Sequence, residues 1–217
     1  MFMSLAAIVW LGDGPFQAQE AEPPQRHGDL FPPQDLGLLE APDRALWQMP
    51  DDIMDALGIA DGATVADVGA GAGWFTIELA RRVGPNGMVY AQDVQSQMLE
   101  AISRRVAREG LQNVRTVLGF GSEPNLPPES QDAVLVVDVY PEVEQRVEFL
   151  RNLAAALKPG GLLGVVNYTP GLGGPGPAPD EGVRVGREIV EADARAAGLR
   201  ITGSATLPYQ YLLVFSR

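Results

Sequence analysis

The chain has 217 residues, no cysteine and a single histidine, and its formal net charge is -12 at pH 7. A chain without cysteine has no disulfides or thiolate metal sites, and the one histidine, His27 in a proline-rich stretch, excludes a multi-histidine metal site or a catalytic triad with a core histidine. The negative charge disfavours DNA or RNA as a partner, because phosphate backbones would be repelled.

An apolar run lies at the start of the chain, over residues 2–11 (FMSLAAIVWL). It is too short to span a bilayer but is typical of the apolar region of a signal peptide, with small residues at 18–21 as a cleavage zone. The basic residues expected before such a run are missing. A cleaved or anchoring leader and a simple tail both stay open, as do cytoplasmic and exported or periplasmic locations. We predict a leader and linker over residues 1–38 and one domain over 39–217.

Residues 40–57 carry apolar side chains near helical spacing, and Pro50 divides the stretch. Asp51 and Asp52 suit the first turn of the second piece. We predict two short helices that form a lid across the open end of the sheet, although simple packing on the sheet is equally compatible.

From Ala63 onward, short apolar strands alternate with amphipathic helices. Repeated strand–helix units predict a doubly wound, mostly parallel α/β sheet of seven strands with right-handed crossovers. The last two strands have no helix between them and should form an antiparallel hairpin. The predicted strands are 63–68, 88–92, 114–118, 132–138, 162–167, 199–206 and 210–216, and the predicted helices are 74–83, 96–109, 142–157 and 185–197.

The first strand runs into a glycine-rich turn, residues 65–74 (VADVGAGAGW). Glycines let the backbone turn tightly and approach a ligand, and the following helix offers free N–H groups. A dinucleotide fingerprint would need a third glycine at position 74, where this chain has Trp74. With Asp67 two residues before the first glycine, the turn resembles motif I of the class I S-adenosylmethionine (SAM) methyltransferases.

Three further stretches are similar to that family. Asp93 ends the second strand 26 residues after Asp67, where a carboxylate can accept from both ribose hydroxyls. Residues 131–138 (QDAVLVVD) resemble motif IV, and residues 157–161 (LKPGG) resemble the turn before the fifth strand. The likeness covers roughly residues 60–170 and implies a Rossmann-like class I methyltransferase fold with SAM as cofactor. The chain is similar to small bacterial methyltransferases that often carry an export-like leader.

The resemblance implies a site at the carboxyl ends of the strands. Asp67 should accept from the cofactor's ammonium, and Ser122 or a backbone carbonyl from the adenine amino group, with Phe120 against the ring. Asp138, Tyr140 and Tyr168 are candidates for the acceptor side. Relatives often have histidine where this chain has Pro141, which removes a potential base. The predicted cofactor residues are Asp67, Gly69, Ala70, Gly71, Gly73, Asp93, Val94, Gly119, Ser122 and Asp138, with Asp138 and Tyr140 as catalytic candidates and no metal.

The predicted function is methyl transfer from SAM to a small molecule, with a quinone-like or other apolar acceptor as the default. The Asp/Asn-Pro-Pro-Tyr signature of amino-group methylases is absent. A non-catalytic SAM-fold binding protein remains an alternative, favoured if the leader is cleaved. An NAD-binding oxidoreductase is a weaker one, because glycine at 74 and a Tyr/Lys pair are missing. The sequence does not predict the oligomeric state.

Overall fold

The computed structural model describes residues 29–217. The apolar run at 2–11 and the candidate cleavage zone at 18–21 lie outside this range. Within it, no helix is long and apolar enough to cross a bilayer. The strands are β1 (Thr64–Val68), β2 (Met88–Asp93), β3 (Val114–Leu118), β4 (Gln131–Val137), β5 (Leu157–Tyr168), β6 (Arg200–Thr206) and β7 (Gln210–Ser216). The α-helices are α1 (Arg44–Gln48), α2 (Pro50–Ala56), α3 (Trp74–Val83), α4 (Ser96–Arg108), α5 (Arg146–Ala156) and α6 (Arg187–Ala196).

The seven strands form one sheet in the order β3-β2-β1-β4-β5-β7-β6. The strands from β3 to β5 pair in parallel, whereas β7 is antiparallel to both β5 and β6. The predicted doubly wound sheet with a terminal antiparallel hairpin is confirmed. The strand order reverses between β1 and β4, and open α/β sheets bind ligands at the carboxyl ends of strands on either side of such a reversal.

Helices cover both faces of the sheet, as the nearly continuous apolar run of β4 indicates. Val134 and Val136 belong to the core cluster that contains Leu150 of α5, while Leu135 between them packs in the cluster that contains Phe75 of α3. Adjacent residues of this strand are therefore buried on opposite faces, and the burial fixes β4 at the centre of the domain.

Two elements begin several residues away from their predicted first residues. β5 begins at Leu157, and its pairing with β4 jumps from Gln131↔Leu157 to Ala133↔Leu162. The predicted LKPGG turn is therefore a bulge within the strand, with Gly160 in the left-handed region at φ +82°. α5 begins at residue 146 and not at 142, because a 3₁₀ turn (Tyr140–Glu142) with Pro141 comes first and the chain is extended again at Val143.

The lid also starts earlier than predicted. A 3₁₀ helix (Pro33–Glu40) occupies the segment that the sequence analysis assigned to the linker. α1 and α2 then follow, separated by Met49 at φ +50° and by Pro50 as the first residue of α2. Proline suits this position because the first N–H groups of a helix have no partner within the helix.

Candidate functional site

The glycine turn joins β1 to α3 at the strand-order reversal. Gly69, Gly71 and Gly73 have φ values of +71°, +52° and +76°, where residues with a Cβ are strained. A Cβ on Gly69 would lie 2.1 Å from Cγ2 of Val139, which is on the loop after β4. Glycine is therefore needed at this turn both for its backbone conformation and for the close approach of the β4 loop.

Most of the turn's N–H groups are used within the protein. Gly69 and Ala70 both donate to the carbonyl of Gln92, and Gly73 donates to the carbonyl of Ala70. The turn thus lets a ligand approach the backbone closely but offers it few free hydrogen-bond donors. The sequence analysis had predicted free N–H groups here.

Asp67 lies buried below this turn. Thr76 of α3 donates its hydroxyl proton to Oδ2 of Asp67 over 2.6 Å. Burial raises the pKa of Asp67 to about 6, against the opposing effects of the Thr76 hydrogen bond and the Arg44 charge. Asp67 therefore joins β1 to the first turn of α3, in addition to placing a carboxyl group near the site.

Asp93 holds the other side of the turn at the end of β2. Its Oδ2 accepts from the Gly71 N–H and its Oδ1 from the Gln95 N–H, each over 2.9 Å. Burial raises the pKa of Asp93, and these two hydrogen bonds oppose the shift. Each carboxylate oxygen keeps a further lone pair, so the group can still accept from hydroxyls of a ligand.

Exposed apolar side chains flank Asp93 at the ends of β2 and β3. Val94 and Leu118 are each 36% exposed, and Phe120 is 64% exposed. The loop approaches closely at Gly119, where a Cβ would lie 2.0 Å from Nε2 of Gln92. An apolar ring of a ligand would cover this surface and gain free energy from the burial.

Ser122 lies farther along the same loop and fastens it to α5. Its hydroxyl donates to Oε1 of Gln145 over 3.3 Å, and its carbonyl accepts from Nδ2 of Asn152 over 3.1 Å. Ser122 therefore stabilises this loop against α5, in addition to its predicted contact with the ligand.

A polar network occupies the other end of the site, after β4. Nε2 of Gln210 donates to both carboxylate oxygens of Asp138, over 2.8 and 2.7 Å. Nε2 of Gln48 donates to Oε1 of Gln210 over 2.9 Å, and Nε of Arg44 donates to Oε1 of Gln48 over 2.6 Å. The network joins the lid helix α1 to the ends of β4 and β7. Asp138 itself is held at φ +60°, a strained conformation for a residue with a Cβ.

The sequence analysis did not find Arg44, Gln48 or Gln210. The available signal was weak, since Gln48 and Gln210 are single polar residues beside apolar ones and both are fully buried in the fold. Buried amides need hydrogen-bond partners, but the sequence does not say which.

Arg44 lies between the two halves of the site. Its guanidinium carbon is 4.5 Å from the centroid of the Trp74 ring, and its NH1 donates to the carbonyl of Leu39. Asp138 and Asp67 both act on it electrostatically and oppose the lowering of its pKa by burial. The arrangement places a cation beside two carboxyl groups at the N-terminus of α3.

The lid contacts the site along its length. The Phe31 carbonyl accepts from Nε2 of Gln95, and Glu40 forms an ion pair with Arg105 over 3.0 Å. Cδ1 of Leu39 is 3.2 Å from the position that a Cβ on Gly71 would take. The 3₁₀ helix therefore lies over the carboxyl ends of β1 and β2, a position that the sequence analysis predicted for the helices of residues 40–57. Ile53, Met54 and Leu57 at α2 instead pack in the core beside the sheet, which was the alternative.

The structure does not bring Tyr140 to the site. Its side chain is fully buried, and its hydroxyl donates to Oδ2 of Asp193 on α6 over 2.7 Å. The 3₁₀ turn at Pro141 directs Tyr140 toward α5 and α6, where the Arg146 guanidinium lies 5.3 Å from the ring centroid. The prediction of a catalytic role for Tyr140 is therefore withdrawn.

Replacing Tyr140 with phenylalanine is expected to lower the free energy of unfolding by about 1–2 kcal/mol, because Asp193 loses a buried donor. The affinity for S-adenosylhomocysteine (SAH) should stay within about twofold of wild type, since the hydroxyl points away from the site. Urea unfolding and calorimetry check the two statements. A large loss of affinity at full stability would return Tyr140 to the site.

Two aromatic side chains lie between the lid and β5. Trp47 of α1 and Tyr168 at the end of β5 are nearly fully buried, with ring centroids 6.1 Å apart. The Tyr168 hydroxyl donates to the Pro175 carbonyl over 2.7 Å. Trp47 follows the network residue Arg44 on α1, so this aromatic pair adjoins the Asp138 end of the site.

The carboxyl groups of the site titrate well above their ordinary range. Burial raises the pKa of Asp138 to about 7, with Arg44 and hydrogen bonds from Gln48 and Gln210 opposing it. Burial also raises the pKa of the half-buried Glu142 to about 8, and the charges of Asp93 and Asp138 add to the shift. Burial and mutual repulsion disfavour the ionised forms of these carboxyl groups, and a bound cationic ligand would stabilise those forms.

The stability of the ligand-free protein should therefore fall as the pH rises. A carboxyl group whose pKa is higher in the folded than in the unfolded protein stabilises the fold at low pH, and this stability is lost as the pH rises through the folded value. For Asp138, whose pKa rises from 3.8 to about 7, the loss extends over that interval. Between about pH 5 and 8.5 the free energy of unfolding should therefore decrease by about 2 kcal/mol less in Asp138→Asn than in wild type. This figure allows for solvent screening of the half-buried group. Urea unfolding of both proteins at the two pH values measures this difference, and equal pH dependence in both would contradict it.

Comparisons with known proteins agree with this arrangement. The sequence profile of a family described as "Methyltransferase domain" matches residues 65–161. The chain is 32% identical to a demethylmenaquinone methyltransferase of Geobacillus stearothermophilus over 111 residues, which are 51% of this chain and 47% of that protein. It is 34% identical to a protein-L-isoaspartate O-methyltransferase of Pyrococcus horikoshii over 117 residues, or 52% and 50% of the two chains. The chain thus spans about half the length of the curated relatives it matches.

A solved structure matches over a longer range. The crystal structure of a SAM-dependent methyltransferase from Aquifex aeolicus superposes with a TM-score of 0.79 at 27% identity, covering 85% of this chain and 98% of that one. The matched profile includes the glycine turn, Asp93 and Asp138, and the superposed fold contains the sheet that positions them. The chain is therefore similar, in sequence and in fold, to class I SAM-dependent methyltransferases, and these similarities support S-adenosylmethionine as its cofactor.

Proposed function

We propose that the protein transfers a methyl group from SAM to a small, apolar and planar acceptor. The observation that carries the proposal is that Asp93 accepts from Gly71 of the glycine turn, while Arg44 lies over the Trp74 ring at the end of the same turn. Asp138 adjoins Val139, which lies against Gly69. A nucleoside with an amino-acid tail needs a hydrogen-bond acceptor for its ribose hydroxyls at one end. At the other end it needs a cation for its carboxylate and an anion for its ammonium group. These residues provide that set.

The residues that would hold the cofactor follow from their chemistry. Asp93 would accept from the ribose hydroxyls, and Val94 with Phe120 would cover the adenine ring. Arg44 would pair with the carboxylate of the amino-acid end, since a guanidinium binds carboxylates well. Asp67 and Asp138 would face its ammonium group. When bound, SAM supplies a methyl group on a positively charged sulfur that leaves as a neutral thioether.

The acceptor side of the proposal rests on Asp138 and on the relatives, since the rings of Trp47 and Tyr168 are nearly fully buried and expose little surface. The relative from Geobacillus stearothermophilus is named for a quinone substrate, and the net charge of -12 disfavours a nucleic acid. A ring carbon or hydroxyl that gains a methyl group must lose a proton. Asp138, with its pKa near 7, is positioned by Gln210 to take that proton, and the lid would exclude water.

The experiment is methyl transfer from methyl-labelled SAM to a reduced naphthoquinone with an open ring position, followed by mass spectrometry of the product. We expect a product heavier by one methyl group in place of one hydrogen, and a strongly reduced rate in Asp138→Asn. The matched control is Asp132→Asn, at the opposite end of β4, which should retain the wild-type rate. A protein that binds SAM but methylates neither this acceptor nor a panel of phenols and carboxylates would favour the non-catalytic alternative.

A further inference from the structure

A chain of hydrogen bonds joins the cation of the site to one of its carboxylates, and we call it the relay. It consists of Arg44 and Gln48 of α1, Gln210 of β7 and Asp138 after β4. Its donor–acceptor distances are 2.6 Å from Arg44 to Gln48, 2.9 Å from Gln48 to Gln210, and 2.8 and 2.7 Å from Gln210 to the two oxygens of Asp138. The two glutamines are fully buried, whereas Arg44 and Asp138 at the ends are partly exposed. The relay therefore connects two accessible charged groups through a middle that is shielded from solvent.

The direction of the relay is fixed by the chemistry of its ends. A guanidinium only donates hydrogen bonds, and an ionised carboxylate only accepts them. Each glutamine must therefore turn its carbonyl oxygen toward Arg44 and its NH₂ group toward Asp138, as the structure shows. In a planar amide the oxygen and the nitrogen turn together, so a glutamine that follows its donor also redirects its own NH₂ group. A change in orientation at Arg44 thus reaches Asp138 through the two amides.

Arg44 has one edge in the relay and another edge that is open. Its Nε donates to Gln48, and its NH1 donates to the Leu39 carbonyl over 2.8 Å. Within residues 29–217, its NH2 makes no hydrogen bond. Under the proposed function, this NH2 group pairs with the carboxylate of the cofactor's amino-acid end. The planar guanidinium holds its three nitrogens in a fixed arrangement, so a carboxylate bound at NH2 also fixes the direction of the Nε–H toward Gln48.

We propose that the relay couples the cofactor's carboxylate to Asp138, so that Asp138 takes its working orientation when the cofactor is bound. The inference rests on the proposed function, which assigns the cofactor's carboxylate to Arg44 and the acceptor's proton to Asp138. Gln48 and Gln210 are then positioning residues, because they act through Asp138 and not on the reacting atoms. The cofactor binds before the acceptor, since the group that takes the proton is oriented only in the cofactor complex.

A merely structural role of Gln48 would have a different signature. It would change the stability of the fold, but it would not make the mobility of the Gln210 amide depend on the carboxylate of a ligand. Decarboxylated SAH keeps the nucleoside, the thioether and the ammonium group of SAH and lacks only the carboxylate. The difference between these two ligands therefore isolates the contact with Arg44 from the exclusion of water and from the effect of the ammonium group on Asp138.

The test is hydrogen exchange of the side-chain NH₂ protons of Gln210, measured by NMR on the full chain saturated with either ligand. Gln210→Met assigns the signals, and about pH 8 keeps Asp138 mostly ionised. In wild type, exchange should be about tenfold slower with SAH than with decarboxylated SAH, because the complete relay makes opening of the hydrogen bonds to Asp138 less frequent. In Gln48→Met, whose side chain has a similar length but no amide group, the two ligands should have the same effect.

Gln131→Met is the matched control. Gln131 is also fully buried, but it lies at the opposite end of β4, where its Nε2 donates to the Ser130 hydroxyl over 2.7 Å. This variant removes a buried amide by the same substitution and leaves the relay complete. It should therefore keep the wild-type difference between the two ligands.

Gln48→Glu keeps an acceptor for Arg44 but has no donor for Gln210. It should also lose the difference between the ligands, which covers a methionine variant that does not fold. Equal exchange with the two ligands in wild type, or a wild-type difference that persists in Gln48→Met, would overturn the inference while leaving the proposed function intact. Failure of wild type to bind SAH in a calorimetric titration would overturn both.

Discussion

Replacing Gly69 with alanine is expected to destabilise the protein by about 3 kcal/mol or more and to abolish SAH binding. The new Cβ would lie 2.1 Å from Cγ2 of Val139, at a backbone φ of +71°. Val139 cannot move freely, because its neighbour Asp138 is held by two hydrogen bonds from Gln210. Relief of the clash must therefore displace either the glycine turn or the loop that carries Asp138 and Glu142. Urea unfolding and calorimetry with SAH measure the two effects.

Gly110→Ala separates the clash from the backbone strain. Gly110 has a similar φ of +67°, but nothing lies within 4 Å of its Cβ position. This variant should lose about 1 kcal/mol of stability through conformation alone and should bind SAH as wild type does. If Gly69→Ala were no more harmful than Gly110→Ala, the close approach of Val139 to the turn would be wrong.

Asp93→Asn is expected to weaken SAH binding about 100-fold, which corresponds to about 2.7 kcal/mol. An amide has one acceptor oxygen, whereas the carboxylate accepts from the Gly71 N–H with one oxygen and from the Gln95 N–H with the other. The amide's NH₂ group would face one of these donors. The variant thus loses an acceptor for the ribose and also disturbs the turn against which the ligand binds.

Asp132→Asn is the control for this loss. Asp132 also accepts a backbone N–H, from Thr64 over 2.8 Å, and pairs with Lys158. It lies at the opposite end of the sheet, so its replacement should lower stability slightly and leave the SAH affinity unchanged. Equal weakening of SAH binding in both variants would point to a general effect on the fold and against ribose recognition by Asp93.

The part of the site that the sequence predicted is local in the chain. The glycine turn requires β1, three glycines and α3 in direct succession, and the left-handed φ values need residues without a Cβ. Asp93 was predictable because parallel neighbouring strands end at the same edge of the sheet. The alternation of short apolar strands and amphipathic helices predicted a parallel sheet, since each strand–helix–strand unit joins parallel strands with one favoured hand.

The part that the sequence did not predict depends on contacts between distant residues. Gln48 and Gln210 are 162 positions apart, and Gln210 and Asp138 are 72 apart. No local pattern identifies which buried amide will meet which carboxylate. The position of Tyr140 depends on the 3₁₀ turn at Pro141, after which its hydroxyl meets Asp193 of α6, and spacing along the chain does not reveal this.

The start of α4 shows the same limit at a smaller scale. The sequence predicted a helix from residue 96, and Ser96 is the first helical residue, with Gln95 at the capping position and no side-chain capping hydrogen bond. Asp93 accepts the Gln95 N–H. The carboxylate that faces the cofactor site thus also fixes the entry of α4, a double role that a helix-start signal in the sequence cannot distinguish from ordinary capping.

The most direct test of the account is a calorimetric titration of residues 29–217 and of the full chain with SAM, SAH and NAD. The glycine turn, Asp93 and Arg44 lead us to expect one site per chain with micromolar affinity for SAM and SAH, and no binding of NAD. A well-folded protein that binds neither SAM nor SAH, or that prefers NAD, would contradict the assignment of this site.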